Sequence, residues 1–284
     1  MTNVIQSVSV RVPASTSNLG PGFDCLGVAL RLHNEVILTC DRGSTHPEIV
    51  EAAARVFFKS IKRRPFTFSC ATVENVPRMH GLGSSATIRL GVLEGLNLLN
   101  GLPLGRSSIF ALCSELEGHP DNAAPSAFGG FTVVRDRVIQ RFSVHSRLKF
   151  VLLIPDFEIK TPAARKILPE KVLRLDAVKN CGNACAITAA FASRDYEQLQ
   201  GGFADHLHQP FRTKLIPMLP RVIAAAEEAG ALGGFLSGSG STICALTLRN
   251  EGQVAAAMLQ IAGAKRAKTI VTTADNRGIQ IRNR

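Results

Sequence analysis

Apolar and polar residues alternate from Ser7 to Val12 and again from Val36 to Cys40, and a period of two predicts strands with one buried face. Cys25 to Leu30 is a short, mostly apolar run between them. From Ile49 to Ile61 the apolar positions recur every three or four residues, the spacing of an amphipathic helix. Phe66 to Cys70 returns to alternation. Ala86 to Asn100 is apolar almost throughout and stops at Asn100-Gly101-x-Pro103, which predicts a covered helix with a defined end. Ser107 to Leu116 reads as a further helix, and Gly129-Gly130-Phe131 opens a strand that runs through Val134.

Leu148 to Pro155 is a continuous apolar strand, and a domain boundary falls just before it, dividing the chain into residues 1–146 and 147–284. Helices are expected over Val172 to Val178, Ala184 to Ala192 and Tyr196 to Leu207. The last section runs helix (Val222 to Ala229), strand, loop (Leu236 to Thr242), strand (Ile243 to Leu248), helix (Gln253 to Ile261) and strand (Thr269 to Thr273). This alternation places the chain in the α+β class, with helices on one face of a sheet.

The stretches that break the pattern hold the chemistry. His80-Gly81-Leu82-Gly83-Ser84-Ser85-Ala86-Thr87 lies between a strand and a helix start, where unpaired N–H groups and the positive end of the helix dipole favour an anion. A Walker loop would need a lysine after its last glycine, and none is present. Gly81-x-Gly83-x-x-Ala86 fits a dinucleotide fingerprint formally. However, Glu94 comes too early and Glu115 too late for the acidic residue that motif requires roughly 20 positions on. A serine-capped glycine turn is the plainer alternative for the loop taken alone.

A second loop, Pro13 to Asp24, is dense in turn residues and carries Asn18 and Asp24. A third stretch, Glu115 to Asn122, packs carboxylates, an imidazole and an amide together.

With 45% hydrophobic residues the chain can build a large core. Its seven cysteines are odd in number and sit mostly among apolar residues, which reads as core thiols in a reducing compartment. Cys181 and Cys185 could share a helix face, but without further ligands core packing is preferred over a metal site. No run of 18 apolar residues occurs, and Met1-Thr2-Asn3 lacks the order of a signal peptide, so a cytoplasmic protein without a membrane partner is expected. The formal charge of +11 invites a nucleic-acid partner. Basic residues are scattered in short clusters, with one tyrosine, no tryptophan and no nucleic-acid motif, so none is expected. A homodimer is left open.

Taken together, three stretches resemble the GHMP kinase family, named for galactokinase, homoserine kinase, mevalonate kinase and phosphomevalonate kinase. Val12 to Asp24 is similar to the family's first motif, Pro77 to Thr87 to the ATP loop, and Gly233 to Thr242 to the third motif. Glu117-Gly118-His119-Pro120-Asp121-Asn122, Thr161-x-x-x-Arg165-x-x-Leu168-Pro169 and His208-Gln209-Pro210-Phe211-Arg212 are similar to the homoserine kinase wording.

The resemblance implies a ribosomal protein S5 domain 2-like N-terminal domain, a ferredoxin-like C-terminal domain and an active site between them. It also implies ATP, Mg²⁺ and L-homoserine. Pro77, Arg78, Met79, His80, Gly81, Leu82, Gly83, Ser84, Ser85, Ala86 and Thr87 would hold the triphosphate, and Ser85 and Glu117 the metal, with Glu115 the alternative carboxylate. Asn18, Asp24, His119 and Asn122 would line the acceptor pocket. Of these, Asp24, His119 and Asn122 are the catalytic candidates. Arg165 and Arg212 would grip the substrate carboxylate, with Gly238 beside them.

The chain departs from the usual pattern at His80, where arginine or a small residue is common, at Thr87 in place of alanine, and at Ser241 in place of proline. It is also short between Cys40 and Pro47, on the adenine side. The other classes kept open are a kinase for another small carboxylate-bearing alcohol and a non-catalytic nucleotide-binding regulator.

Overall fold

The computed structural model describes residues 6–41, 45–136, 138–263 and 265–282. The readings made on Met1-Thr2-Asn3 and on the middle of the Cys40–Pro47 connection lie outside these residues. Strand β1 (Ser7–Ser17) pairs antiparallel with β2 (Leu26–Cys40), with a register shift at Pro13/Ala14. Cys25–Leu30 and Val36–Cys40 are thus the two ends of one long strand. The strand β1 also continues through Ser17, where a loop was expected from Pro13. Its Ser15, Thr16 and Ser17 are buried and satisfied by side-chain hydrogen bonds, so polarity there marks a site rather than a surface turn.

Helix α1 (Glu48–Ile61), strand β3 (Phe68–Val73) and helix α2 (Ser84–Leu99) follow, then α3 (Arg106–Glu117) and a short α4 (Ala123–Phe128). Strands β4 (Phe131–Arg135) and β5 (Val138–Phe142) complete this half. Two glycines let α2 lie close against the sheet: a Cβ on Gly91 would sit 2.4 Å from Val36 Cγ2, and one on Gly95 2.8 Å from Leu38 Cδ1. Helices α1, α2 and α3 bury Phe57, Leu93, Leu96 and Ile109 with Val10, Val36 and Leu38 of the sheet.

The second half contains β6 (Lys149–Pro155), α5 (Thr161–Lys166), α6 (Arg174–Ser193) and α7 (Gln209–Arg212). It continues with α8 (Leu219–Glu228), β7 (Gly233–Leu236), β8 (Ile243–Thr247), α9 (Glu251–Ala262), β9 (Ala267–Thr272) and β10 (Gln280–Arg282). Its sheet has the order β7-β8-β6-β9 with every neighbour antiparallel, the ferredoxin-like arrangement the resemblance implies. One face carries α8 and α9. The other packs Phe150, Leu152 and Phe235 on Leu26, Val28 and Phe131 of the first sheet.

Two expectations from periodicity are corrected, and one strand was not expected. The helices expected over 172–178 and 184–192 form the single α6. The helix expected over Tyr196 to Leu207 is only a 3₁₀ turn, Tyr196–Leu199, because the Asp205 carboxylate takes the N–H groups of Leu207, His208 and Gln209 and starts α7 instead. Finally β10, which no periodicity announces, returns to pair with β1, giving the first sheet the order β10-β1-β2-β4-β5 with β3 on β2. Among the described residues no helix is long and apolar enough to cross a membrane.

Candidate active site

A cleft of about 500 Å³ opens where the end of β1, the loop before α2, the α3–α4 connection and α5 meet. Beyond β1 the backbone turns sharply, with φ of 71° at Asn18 and 58° at Asp24. Asn18 holds this turn by accepting the Asp24 N–H (3.0 Å) and by donating Nδ2–H to the Gly238 carbonyl (3.0 Å). It thereby ties the first motif to the third.

The amide of Asn122 is gripped at both ends by serines two positions apart on β1. Ser15 donates to its Oδ1 at 2.9 Å, and its Nδ2 donates to Ser17 Oγ at 3.0 Å. Because strand side chains repeat every two residues, both serines face the same way. On the opposite face Thr16 pairs with Ser237 at 2.8 Å.

The loop before α2 has φ of 71° at Gly81 and 67° at Gly83, a region that L side chains rarely adopt. Both glycines are also close-packed, since a Cβ on Gly81 would lie 2.0 Å from Ser237 O and one on Gly83 2.2 Å from Ser15 Oγ. Among the described residues, none of the backbone N–H groups from Gly81 to Ala86 meets a protein acceptor. A nest of this kind at a helix start favours an anion. Arg78, Met79, Gly81, Leu82, Gly83, Ser84 and Ser85 line the cleft, whereas Pro77, His80, Ala86 and Thr87 do not. Thr87 is buried, donating to Ser84 O and accepting from Asn34 Nδ2.

Ser85 opens α2 and donates to Glu117 Oε2 at 2.8 Å. Glu117 closes α3, and its other oxygen takes a hydrogen bond from Arg89 Nη1, one helical turn beyond Ser85. Glu115 is exposed and does not face the cleft. Two residues after Glu117, the His119 Nδ1 lies 2.8 Å from Asp121 Oδ1. A carboxylate only accepts, so Nδ1 carries the hydrogen and Nε2 is the ring atom left for a ligand. Burial opposes charging of this imidazole, but the hydrogen bond and the charge of Asp121 outweigh it and raise its pKa above the usual value. Burial likewise disfavours the Asp121 anion, and the bond from His119 still brings its pKa below the ordinary range.

On the far wall Arg165 donates to both oxygens of Asp24, at 2.9 and 2.6 Å. This hydrogen-bonded pair keeps the guanidinium's pKa above its ordinary value against the opposing effect of burial. Arg212 is buried at 2% exposure, donating to the carbonyls of Ala164 (3.2 Å) and Gly238 (2.9 Å). Desolvation, aided by the nearby Arg165 charge, brings its pKa down to about 10. Both guanidinium carbons sit over the Phe23 ring, at 5.4 and 5.3 Å from its centroid, and His208 stacks on it at 5.1 Å.

The structure therefore gathers Asn18, Asp24, His119, Asn122, Arg165, Arg212 and Gly238 with the loop, Ser85 and Glu117 around one cleft. Phe23, Arg89, Asp121 and Ser237 were missed as site residues. Phe23, Asp121 and Ser237 lie inside the motifs but were given no role, and Arg89 lies two residues beyond the second one.

A two-sheet α+β fold with an N–H-rich loop and two guanidinium groups lining one cleft suits a small-molecule kinase. GHMP kinase N-terminal and C-terminal family models match residues 48–130 and 187–265, and the chain belongs to the GHMP kinase family. Homoserine kinases are among the relatives it resembles within that family. It is 39% identical over 261 residues to the homoserine kinase of Caldicellulosiruptor bescii, covering 86% of this chain and 85% of that one. It is 39% identical over 280 residues to that of Moorella thermoacetica, covering 92% and 95%. The crystal structure of homoserine kinase from Cytophaga hutchinsonii is similar with a TM-score of 0.90 at 26% identity, over 99% of both chains.

Proposed function

We propose that this enzyme transfers the γ-phosphoryl group of ATP to the side-chain hydroxyl of L-homoserine, yielding O-phospho-L-homoserine and ADP. The observation that carries the reading is the pair Arg165 and Arg212, both seated on Phe23 in the same cleft as the phosphate loop. A small zwitterion offers few handles, and planar guanidinium groups suit its carboxylate. On this reading the two units are residues 1–146 and 147–284, with the last strand returned to the first sheet.

Phosphoryl transfer depends mainly on positioning and on charge stabilisation. The free N–H groups from Gly81 to Ala86 hold phosphate oxygens in place of a Walker lysine. Mg²⁺ fits the donors Ser85 Oγ and Glu117, hard oxygen groups already 2.8 Å apart, because this ion takes few protein ligands and the rest from phosphates and water. When bound, it would neutralise charge on the transferred group. Asn122, locked between two serines, and Asp24 orient the acceptor hydroxyl. His119 Nε2 receives its proton, with Asp121 stabilising the resulting imidazolium.

The test is a coupled assay of ADP release with L-homoserine and a panel of other hydroxy amino acids and amino alcohols, with the product identified by mass spectrometry. An enzyme that binds Mg-ATP but phosphorylates none of them would overturn the reading. Transfer only to a different carboxylate-bearing alcohol would replace the substrate and leave the carboxylate clamp standing.

A further inference from the structure

Four consecutive carbonyl groups of the phosphate loop are each taken by a donor outside it. Met79 O accepts from Ile159 N–H (3.2 Å), His80 O from Thr242 N–H (3.3 Å), Gly81 O from the Ser237 hydroxyl (2.6 Å) and Leu82 O from Ser15 N–H (3.1 Å). With the carbonyls drawn outward, the N–H groups that follow are free to face the cleft. Three of the four donors belong to the second half of the chain, so the loop's shape depends on how the two halves meet.

The His80 side chain adds a fifth anchor, in which the loop is the donor. Its Nδ1 lies 2.9 Å from Ser241 Oγ, and Ser241 Oγ lies 2.5 Å from the Phe157 carbonyl. A hydroxyl has one hydrogen and a carbonyl has none, so the Ser241 hydrogen goes to Phe157 and the serine oxygen accepts from His80. The imidazole is therefore protonated at Nδ1. Burial lowers its pKa from the ordinary histidine value, although Glu158 works in the opposite direction. A neutral ring with a defined tautomer thus spans the loop and the third motif. His80 and Ser241 are also two of the positions where the chain departs from the residues common in the family it resembles, and here they touch each other.

We infer that His80 is a positioning residue for the nucleotide, holding the phosphate loop in its N–H-forward shape through the Nδ1–H···Oγ bond to Ser241 without itself lining the cleft. The inference rests on the reading that the loop binds the phosphates of ATP. It departs from the expectation that His80 is itself a nucleotide contact.

The test uses the full chain with His80→Ala, His80→Asn, His80→Gln, Ser241→Ala and the His80→Ala/Ser241→Ala double variant. Mg-ATP binding is measured by calorimetry, KM is determined for both substrates, and melting curves confirm folding. The amide nitrogen of asparagine falls close to the Nδ1 position, whereas that of glutamine matches the other ring nitrogen. Loss of the Nδ1–H···Oγ bond is expected to raise KM for ATP about 5- to 10-fold in His80→Ala and at least as much in Ser241→Ala, which also loses the bond to the Phe157 carbonyl, with KM for homoserine changed less than about 2-fold. The double variant should be no worse than Ser241→Ala alone. His80→Asn should return KM for ATP to within about 2-fold of wild type, and His80→Gln should not. Unchanged ATP affinity in His80→Ala, or equal behaviour of the Asn and Gln variants, overturns the role of His80. A wild-type protein that binds no Mg-ATP overturns the assignment of the loop itself.

Discussion

Arg165 grips the carboxylate of Asp24 with two hydrogen bonds, although the two residues are 141 positions apart. Each is therefore occupied by the other: the guanidinium proposed for the substrate's carboxylate already holds one, and the carboxylate proposed to orient the acceptor is drawn away from it. Both side chains are about a third exposed, so the pair contributes little to stability and can exchange partners. A substrate carboxylate that takes Arg165 releases Asp24 for the rest of the substrate.

Arg165→Ala should accordingly raise KM for homoserine about 30-fold or more, since one partner of a carboxylate in a partly desolvated pocket is lost, with KM for ATP much less affected. The decarboxylated analogue 3-amino-1-propanol cannot free Asp24 and should be a poor acceptor for wild type. In Arg165→Ala, where Asp24 is already free, its turnover should equal or exceed that of wild type. Steady-state kinetics on both acceptors decide the matter, and equal use of the two by wild type would sink the clamp.

Glu117 joins Ser85 of α2 to the end of α3 and also takes Arg89. Glu117→Gln keeps the size and can still accept from Ser85, so its effect should fall on turnover more than on folding. A fall in kcat of about 10²-fold or more is expected, with a higher Mg²⁺ requirement. Mg²⁺ titrations of the rate against melting temperature separate the two effects. A variant with normal Mg²⁺ dependence and rate would end the assignment of Glu117.

His208 is fully buried, with Nε2 2.8 Å from the Gly20 carbonyl, and desolvation brings its pKa from 6.5 down to about 4. The unfolded chain takes up a proton near pH 6.5 and the folded chain only near 4, so the unfolded state binds more protons between these values. Stability from this group is complete above about pH 6.5 and declines as the pH falls towards 4, by an amount on the order of 3 kcal/mol. Urea unfolding across that range should show the decline, and His208→Gln should flatten it. An identical slope in that variant would place the acid sensitivity elsewhere.

Gly81 and Gly101 offer a controlled comparison, because both have φ in the left-handed region, at 71° and 79°. A Cβ on Gly101 meets nothing within 4 Å, whereas one on Gly81 would lie 2.0 Å from a backbone oxygen. Gly101→Ala should cost only the conformational penalty, about 1 to 2 kcal/mol, with activity retained. Gly81→Ala should cost about 1 to 3 kcal/mol more from overpacking and should abolish Mg-ATP binding. Melting temperatures and calorimetry compare them, and similar losses in both would mean that the loop can move away from Ser237.

Local physics was legible without tertiary structure. Periodicity located α1, α2, α3, β6, β8 and α9 to within a few residues, because their apolar stripes are read directly from spacing. The glycines, hydroxyls and helix start of residues 80–87 likewise predicted unpaired N–H groups at the start of α2, since that geometry is built from neighbours in the chain. Other features were decided only by folding. Strand β10 has three residues, too few for a period, and exists because β1 offers it an edge. Arginines are usually exposed, and Arg212 is buried only because α5 and the third-motif loop supply carbonyls for it. Nothing in the spacing pairs Arg165 with Asp24 or His80 with Ser241. Those bonds join residues from opposite halves of the chain, so their geometry is set by how the two sheets pack rather than by any local pattern.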